Sequence, residues 1–380
     1  AQRKNLFTPV VKVDKPLFTP GPLTTSATVK EAMLRDLGSR DLEFIQIIED
    51  IRNSLLSLAG VSQAEGWEVV PMQGSGTFAI ESVISSITPP GAKWLVIING
   101  AYGERILKII ERHGIAAEAI RCPENELPDM DAINDALAGG TFTHVAAVHC
   151  ETTSGIMNPI AEIGAAARRR NCIHFVDSMS AFGGVEFDLD ACEIDFLVSS
   201  ANKCVEGVPG FGFALCRREA LQSMQGLART LSLDLFDQWQ ALESNGQFRF
   251  TPPTHTLLAF AQALDELKSE GGIPARARRY QANHQACVAG MRSMGFREYV
   301  AQDLQGHVIT SFLYPTADFD FNEFYDRLTE KGFVIYPGKV TKADCFRIGH
   351  IGHLFPEDTE ALLGAIREVA NDMNFSGEAA

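Results

Sequence analysis

The chain has 380 residues, 46% hydrophobic and 21% charged, with a formal net charge of −15 and a pI near 5.1. That length exceeds one ordinary core, so two domains are expected, and the composition is that of a folded globular protein. The acidic field repels nucleic acid and anionic membrane, which leaves small molecules as the expected partners, drawn in by local cations. The N-terminal stretch Ala1-Gln2-Arg3-Lys4-Asn5 is polar and leads into no apolar leader. Eight cysteines, none in C-x-x-C spacing, read as small buried residues in a reducing compartment. Apolar runs such as Trp94 to Ile98 are too short to span a bilayer. The expected location is the cytoplasm.

In chain order, an extended N-terminal arm with Pro16, Pro20 and Pro22 comes first and is expected to pack across both domains. Leu42, Ile45, Ile48, Ile51, Leu55 and Leu58 then recur at helical spacing. Short apolar runs alternate with helical stretches from there. Strands are expected at 67–72, 94–98, 145–149, 173–176, 196–199 and 212–215, with helices at 78–86, 103–113 and 160–170. Alternation at this pitch implies βαβ units and a mainly parallel sheet covered by helices on both faces. Near residue 265 the character changes. A helical stretch, 257–269, ends at Gly271-Gly272, and a basic helical segment, 276–292, follows. The tail reads as strand 307–312, helix 321–331, strands 333–336 and 345–348, and helix 356–371, a compact α+β unit. The expected division is an arm at 1–25, a large α/β domain at 26–265 and a smaller C-terminal domain at 266–380.

Four features fall at predicted strand ends, where open α/β sheets bind ligands. Gln73-Gly74-Ser75-Gly76-Thr77 is a strand-to-helix turn whose glycines allow close backbone approach and whose free N–H groups favour a phosphate. It reads equally as a tight turn with a Ser/Thr cap, and no Lys-Ser/Thr follows to make it a P-loop. Asp177 closes the apolar strand His174-Phe175-Val176 and is either a carboxylate aimed at a cofactor atom or a cap for the next helix. Lys203 follows an apolar strand inside Ser199-Ser200-Ala201-Asn202-Lys203 and precedes Gly207-Val208-Pro209-Gly210-Phe211-Gly212. A lysine in that setting, with a lowered pKa, forms an imine with an aldehyde and shuttles protons as the free base. Arg347, in Cys345-Phe346-Arg347-Ile348-Gly349, is either a two-pronged carboxylate or phosphonate clamp or a surface ion pair. His350 and His353 are separated by Ile-Gly and lack a third ligand, so no metal is expected.

Together the Ser75–Thr77 turn, Asp177, Lys203 and Arg347 resemble the fold type I enzymes that use pyridoxal 5′-phosphate. Nearly the whole chain resembles their class V branch, which includes alanine–glyoxylate and serine–pyruvate aminotransferases. The residues behind this are Leu17-Phe18-Thr19-Pro20-Gly21-Pro22, Asn99-Gly100-Ala101-Tyr102-Gly103-Glu104-Arg105 and Phe248-Arg249-Phe250-Thr251-Pro252-Pro253. The resemblance implies that Ser75, Gly76 and Thr77 hold the cofactor phosphate and that Tyr102 stacks on its ring. It further implies that Thr153 contacts the ring or its 3-oxygen and that Asp177 keeps the ring nitrogen protonated. Lys203 carries the cofactor, and Thr251 reaches the phosphate of a partner subunit, so a homodimer with shared sites is expected. Arg347 binds the carboxylate of pyruvate or alanine. The run from Phe248 to Thr256 is the most particular, and it narrows the expected amine donor to an aminophosphonate, as in phosphonate degradation. Arg35, Arg40, Arg249 and Lys339 are unranked candidates for the phosphonate. The neighbouring readings are an alanine or serine aminotransferase acting on glyoxylate, and a non-catalytic relative of the fold. Desulfurase chemistry needs a nucleophilic cysteine in a late loop, whereas Cys345 lies in an expected strand.

Overall fold

The computed structural model describes residues 14–373 and Phe375. Residues 1–13 of the expected arm, and the last residues of the expected C-terminal domain, lie outside the described residues.

The alternating pattern produces a seven-stranded sheet. Its strands are β1 (Trp67–Gly74), β2 (Lys93–Ile98), β3 (Ala116–Arg121), β4 (His144–Val148), β5 (Ile173–Asp177), β6 (Phe196–Ser200) and β7 (Gly210–Arg217). Their order is β1-β7-β6-β5-β4-β2-β3. Strands β3, β2, β4, β5 and β6 are parallel neighbours, while β7 runs antiparallel to both β6 and β1. The expected mainly parallel sheet therefore contains one reversed strand.

Helices α1 (Leu42–Leu58), α2 (Gly76–Ile87), α3 (Ala101–Arg112), α4 (Met130–Gly139) and α5 (Ile160–Arg168) connect or cover these strands. The residues of β2 divide between the two faces, as the strand period of two requires. Trp94, Val96 and Ile98 enter a core with α2 and α3 residues such as Val83, Ile106 and Ile110. Leu95 and Ile97 enter a second core with Ile133 and Leu137 of α4 and Ile163 and Ala167 of α5. Both faces are dry, which is why these strands read as continuous apolar runs.

Helix α6 (Leu235–Asn245) adds to the first core and is followed by α7 (Thr254–Glu270) and α8 (Gly272–Ser293). Residue 265 lies inside α7, which ends at Gly271-Gly272, both at positive φ. Beyond it, β8 (Ile309–Leu313), β9 (Tyr336–Pro337) and β10 (Cys345–Gly349) form an antiparallel sheet in the order β8-β10-β9. Helices α9 (Phe321–Glu330) and α10 (Pro356–Asp372) complete this unit. Phe346 of β10 sits at its centre, with ring centroids of Phe324, Phe296 and Phe312 at 5.4, 5.7 and 6.0 Å. The strand expected at 333–336 is only partly formed. Val334 bridges to Leu17 of the arm instead, and Tyr336–Pro337 alone pair with β10.

The described part of the arm joins the two units. Phe18 packs in the C-terminal core, its N–H donates to Val334 O at 2.8 Å, and its carbonyl accepts from Gly349 N at 2.9 Å. Thr24 O accepts from His353 N at 2.7 Å. Leu23 lies in a junction cluster with Cys204, Tyr280 and Ile351. Glycine at 349 permits this approach, since a Cβ there would stand 2.4 Å from Thr19 O. Gly349→Ala is expected to lower stability by about 1–3 kcal/mol, because arm backbone must shift. In contrast, a Cβ on Gly364, inside α10, meets nothing within 4 Å. Gly364→Ala should therefore raise stability by about 0.5–1 kcal/mol through helix propensity. Thermal unfolding of the two variants, moving in opposite directions from the parent, is the check.

Candidate active site

The expected residues Ser75, Gly76, Thr77, Tyr102, Asp177 and Lys203 lie along one edge of the large sheet, where its parallel strands end. Ser75 follows β1 as the N-cap of α2, with φ −90° and ψ 172°, and its hydroxyl makes no capping bond. The first-turn N–H groups of a helix have no partner within the helix. Left without a side-chain cap, this end of α2 is free to accept an anion. Gly76 is tightly packed, since a Cβ there would stand 2.2 Å from Met179 Sδ. Thr77 Oγ1 accepts from Arg105 Nη1 at 3.3 Å.

Asp177 ends β5 and is 2% exposed. Its Oδ1 accepts from Met179 N at 2.9 Å, the bond expected of a capping aspartate, but no helix follows. Burial pushes its carboxyl up to about 6, against the opposing pull of that hydrogen bond and of the Lys203 and Arg105 charges. Lys203 lies in the turn after β6. Its Nζ donates to Pro20 O at 2.7 Å, and a Cβ on Gly21 would meet that same ammonium at 2.8 Å. The arm is thus a roof over the lysine. Burial lowers the Lys203 pKa, with Tyr102, Cys204 and Asp177 acting in the opposite sense.

Tyr102 occupies the first turn of α3, and its position is fixed from both sides. Ala101 N donates to Thr153 Oγ1 at 2.9 Å, and Gly103 N donates to Glu151 Oε2 at 3.3 Å. Glu151 Oε1 in turn accepts from Thr153 Oγ1 at 2.6 Å and from Thr153 N at 3.1 Å. Glu151 is fully buried, and desolvation raises its pKa despite these donors. Gly100 is required here, because a Cβ would meet the Glu151 carboxyl carbon at 2.3 Å. The Thr153 hydroxyl thus both accepts and donates within this bracket. Glu151 gave no sequence signal of its own, being one polar residue in a Thr-rich run.

Arg347, on β10, is 2% exposed. Its Nη1 donates to Thr152 O at 2.7 Å and its Nε to Pro337 O at 2.9 Å, so it ties the two units together. The surface ion pair considered for it does not form, and among the described residues no carboxylate pairs with it. Burial lowers its pKa, partly offset by Tyr102 and Tyr336. His350 and His353 diverge. His350 is interior, 2.8 Å from Thr310 Oγ1, while His353 lies 3.9 Å from Glu206. Among the described residues no group of three or more His, Cys, Asp or Glu is arranged to hold a metal.

Thr251 is not brought to the Ser75 turn by any side-chain hydrogen bond within the described chain. It is exposed, and its carbonyl accepts from Gln73 Nε2 at 3.4 Å, beside Phe250 O at 3.0 Å. A buried network that sequence reading missed lies behind Lys203. Glu206, at φ 67°, accepts from Tyr280 OH at 2.6 Å and from Arg279 Nη2 at 2.7 Å, and Arg276 Nη1 donates to Cys204 O at 2.6 Å. These bonds fix the lysine turn to α8. Seven of the eight cysteines are buried, and Cys122 is intermediate.

Residues 25–343 match the family model described as aminotransferase class-V. The chain is 49% identical to a 2-aminoethylphosphonate–pyruvate transaminase of Phocaeicola vulgatus, over 93% of this chain and 98% of that relative. It is 51% identical to the transaminase of that name from Vibrio cholerae, over 92% and 96%. Among solved structures, ureidoglycine–glyoxylate aminotransferase from Bacillus subtilis aligns with TM-score 0.88 at 23% identity, over 99% of this chain and 97% of that one. Pyridoxamine–pyruvate aminotransferase from Mesorhizobium loti aligns at 0.87 and 25%, over 95% and 93%.

The raised Asp177 pKa has a consequence for stability in protein stripped of small ligands. A carboxyl with its folded pKa above the unfolded value favours folding below the unfolded pKa. That contribution is lost as pH rises from 3.8 through about 6. Asp177→Asn should therefore unfold at higher temperature than the parent at pH 7.5, by roughly 2–3 kcal/mol of stability, with the gap closing near pH 4. Paired thermal scans at the two pH values measure it.

Proposed function

The chain belongs to the class V aminotransferases, and from that premise we propose that it transfers the amino group of 2-aminoethylphosphonate to pyruvate. The products are phosphonoacetaldehyde and L-alanine, a step in phosphonate degradation. Supporting the substrate is the near-half identity, over more than nine-tenths of both chains, to transaminases so named. Supporting the chemistry is one juxtaposition: an amine with lowered pKa beside a buried carboxylate with raised pKa.

Family membership implies dependence on pyridoxal 5′-phosphate. The donor set suits that group. An uncapped helix start at Ser75, Gly76 and Thr77 fits a phosphate, with Arg105 at hydrogen-bond distance from Thr77 to neutralise it. Asp177 fits a ring N–H, and Lys203 fits an aldehyde. When bound, the cofactor supplies an electron sink for the carbanion left at the amine-bearing carbon.

The chain's own residues do the rest. Lys203 Nζ yields its place to the substrate amine and then takes the proton from the amine-bearing carbon. Its lowered pKa keeps free base present for this task. Asp177 holds a proton on the ring nitrogen, since a buried carboxylate without a cationic partner is costly. Tyr102 offers a flat face to the ring and is kept in place by the Glu151–Thr153 bracket, from which Thr153 flanks the same site. Arg347 binds the carboxylate of pyruvate or alanine with the guanidinium edge not used on Thr152 and Pro337. The Pro20–Gly21 roof limits water at Lys203.

We assign residues up to 25 to the arm, those from 26 to Gly271 to the cofactor domain and the remainder to the small domain. Thr251 acts on the partner subunit's phosphate in a homodimer. Phe78 and Phe250, exposed apolar side chains beside the Ser75 turn and Gln73, support that interface. The buried thiols suit a reducing cytoplasm.

Single-turnover absorbance with a donor panel tests the reading. 2-Aminoethylphosphonate should convert the bound cofactor at least about tenfold more efficiently than L-serine, with pyruvate restoring the starting spectrum. Conversion by amino acids alone would move the chain to the alanine or serine branch. Lys203→Ala should lose the visible cofactor band and at least about a thousandfold in turnover.

A further inference from the structure

A phosphonate differs from a carboxylate in shape and charge. It has three oxygens in a tetrahedral array and up to two negative charges, whereas a guanidinium fork is planar and engages two oxygens. Arg347 has already given Nε and Nη1 hydrogens to Pro337 O and Thr152 O. It can serve one planar anion with its free edge, but a third oxygen and a second charge need another donor.

The structure separates the available cations. Arg35 is exposed and paired with Glu43 at 2.6 Å. Arg249 Nη1 donates to Leu231 O at 3.0 Å and its Nη2 to Asp234 O at 2.9 Å. Arg40 shares a surface groove with residues 247–252, on the Thr251 side. Arg105 lies 5.0 Å from the centroid of the Tyr102 ring but is engaged by Thr77 of the phosphate turn. Lys339 lies closer to that ring. Its ammonium lies 4.3 Å from the centroid of the Tyr102 ring, and no carboxylate pairs with it among the described residues. It follows Pro337 by one residue, Gly338, so the loop that holds Arg347 by its carbonyl also carries Lys339. Burial alone would raise the Tyr102 pKa, but it is lowered, first by a hydrogen bond with Thr152 and then by the Lys203, Lys339 and Arg347 charges. Lys203, Lys339 and Arg347 therefore join Arg105 around Tyr102.

We propose that Lys339 is the specificity residue for the phosphonate headgroup, binding the oxygen and charge that Arg347 leaves unmet. This rests on the substrate proposed above. A flexible point charge suits the role, because it moves from the Tyr102 face onto a dianion. A carboxylate substrate is satisfied by Arg347 alone, so Lys339 separates the two half-reactions of one site.

The test uses holoenzyme and Lys339→Met, which keeps the stem and removes the charge. Half-saturation by 2-aminoethylphosphonate should rise about tenfold or more, with the limiting rate changed less than about threefold. The L-alanine half-reaction should move less than about twofold, and Lys339→Arg should recover much of the loss. Two amine-free probes, ethylphosphonate and propionate, read the headgroup directly through the cofactor band. Ethylphosphonate binding should weaken about tenfold in Lys339→Met and propionate binding should not. Equal weakening of both probes, or unchanged phosphonate binding, overturns the proposal. If the parent enzyme fails to convert 2-aminoethylphosphonate but ethylphosphonate binding still depends on Lys339, the substrate reading falls and the headgroup site stands.

Discussion

A lysine amine taken out of water next to other cations is the constraint on which this molecule depends. Ammonium groups are strongly hydrated, so burial pushes Lys203 toward its neutral form, and Arg105 adds to that push. The state that burial favours is the nucleophilic one. Tyr102, Cys204 and Asp177, the last itself held up toward neutrality by burial, lean the other way, and the amine donates to Pro20 O. Burial thus acts against the charge of both the Lys203 amine and the Asp177 carboxylate, and a ligand carrying both a cationic ring nitrogen and an aldehyde would relieve both.

Keeping that amine in place requires three separate pieces of chain to meet. The sheet supplies Asp177 and the lysine turn from adjacent parallel strands, with Asp177 opposite Val198 in the register. The arm supplies the roof, and its own position is set by hydrogen bonds to Val334 and Gly349 of the C-terminal unit. Helix α8 locks the residues after Lys203 through Glu206, Arg276, Arg279 and Tyr280. Each of these buried charges has several partners, as a charge must when removed from water. The lysine therefore registers the packing of the C-terminal unit against the sheet. Arg347, bonded across the same junction, shares that dependence.

What was legible in the sequence follows from how strongly each element depends on its own residues. Strands β2, β4, β5 and β6, buried on both faces, announce themselves as apolar runs, and the motif residues at their ends were found with them. Strand β3, Ala-Ala-Glu-Ala-Ile-Arg at the sheet edge, is short of large apolar residues and was missed. Helices α4 and α6 were missed too; α4 buries only Ile133 and Leu137, and the buried face of α6 includes the polar Gln238. The reversal of β7 has no local signature, because antiparallel pairing here is a property of the connection. The strand expected at 333–336 was diverted by Leu17, some three hundred residues away in the chain. Glu151 and Glu206 were invisible for a related reason. Their roles come from partners distant in sequence, and a lone buried carboxylate looks the same as a surface one until the fold is known.

The most direct measurement of the central claim is to reduce purified holoenzyme with borohydride and map the resulting modification by peptide mass spectrometry. A covalent pyridoxyl phosphate on the peptide containing Lys203, with no other lysine modified, is the result expected from an amine buried beside Asp177 under the Pro20–Gly21 roof. Stable modification at another lysine, Lys339 included, or no modification at all, contradicts it.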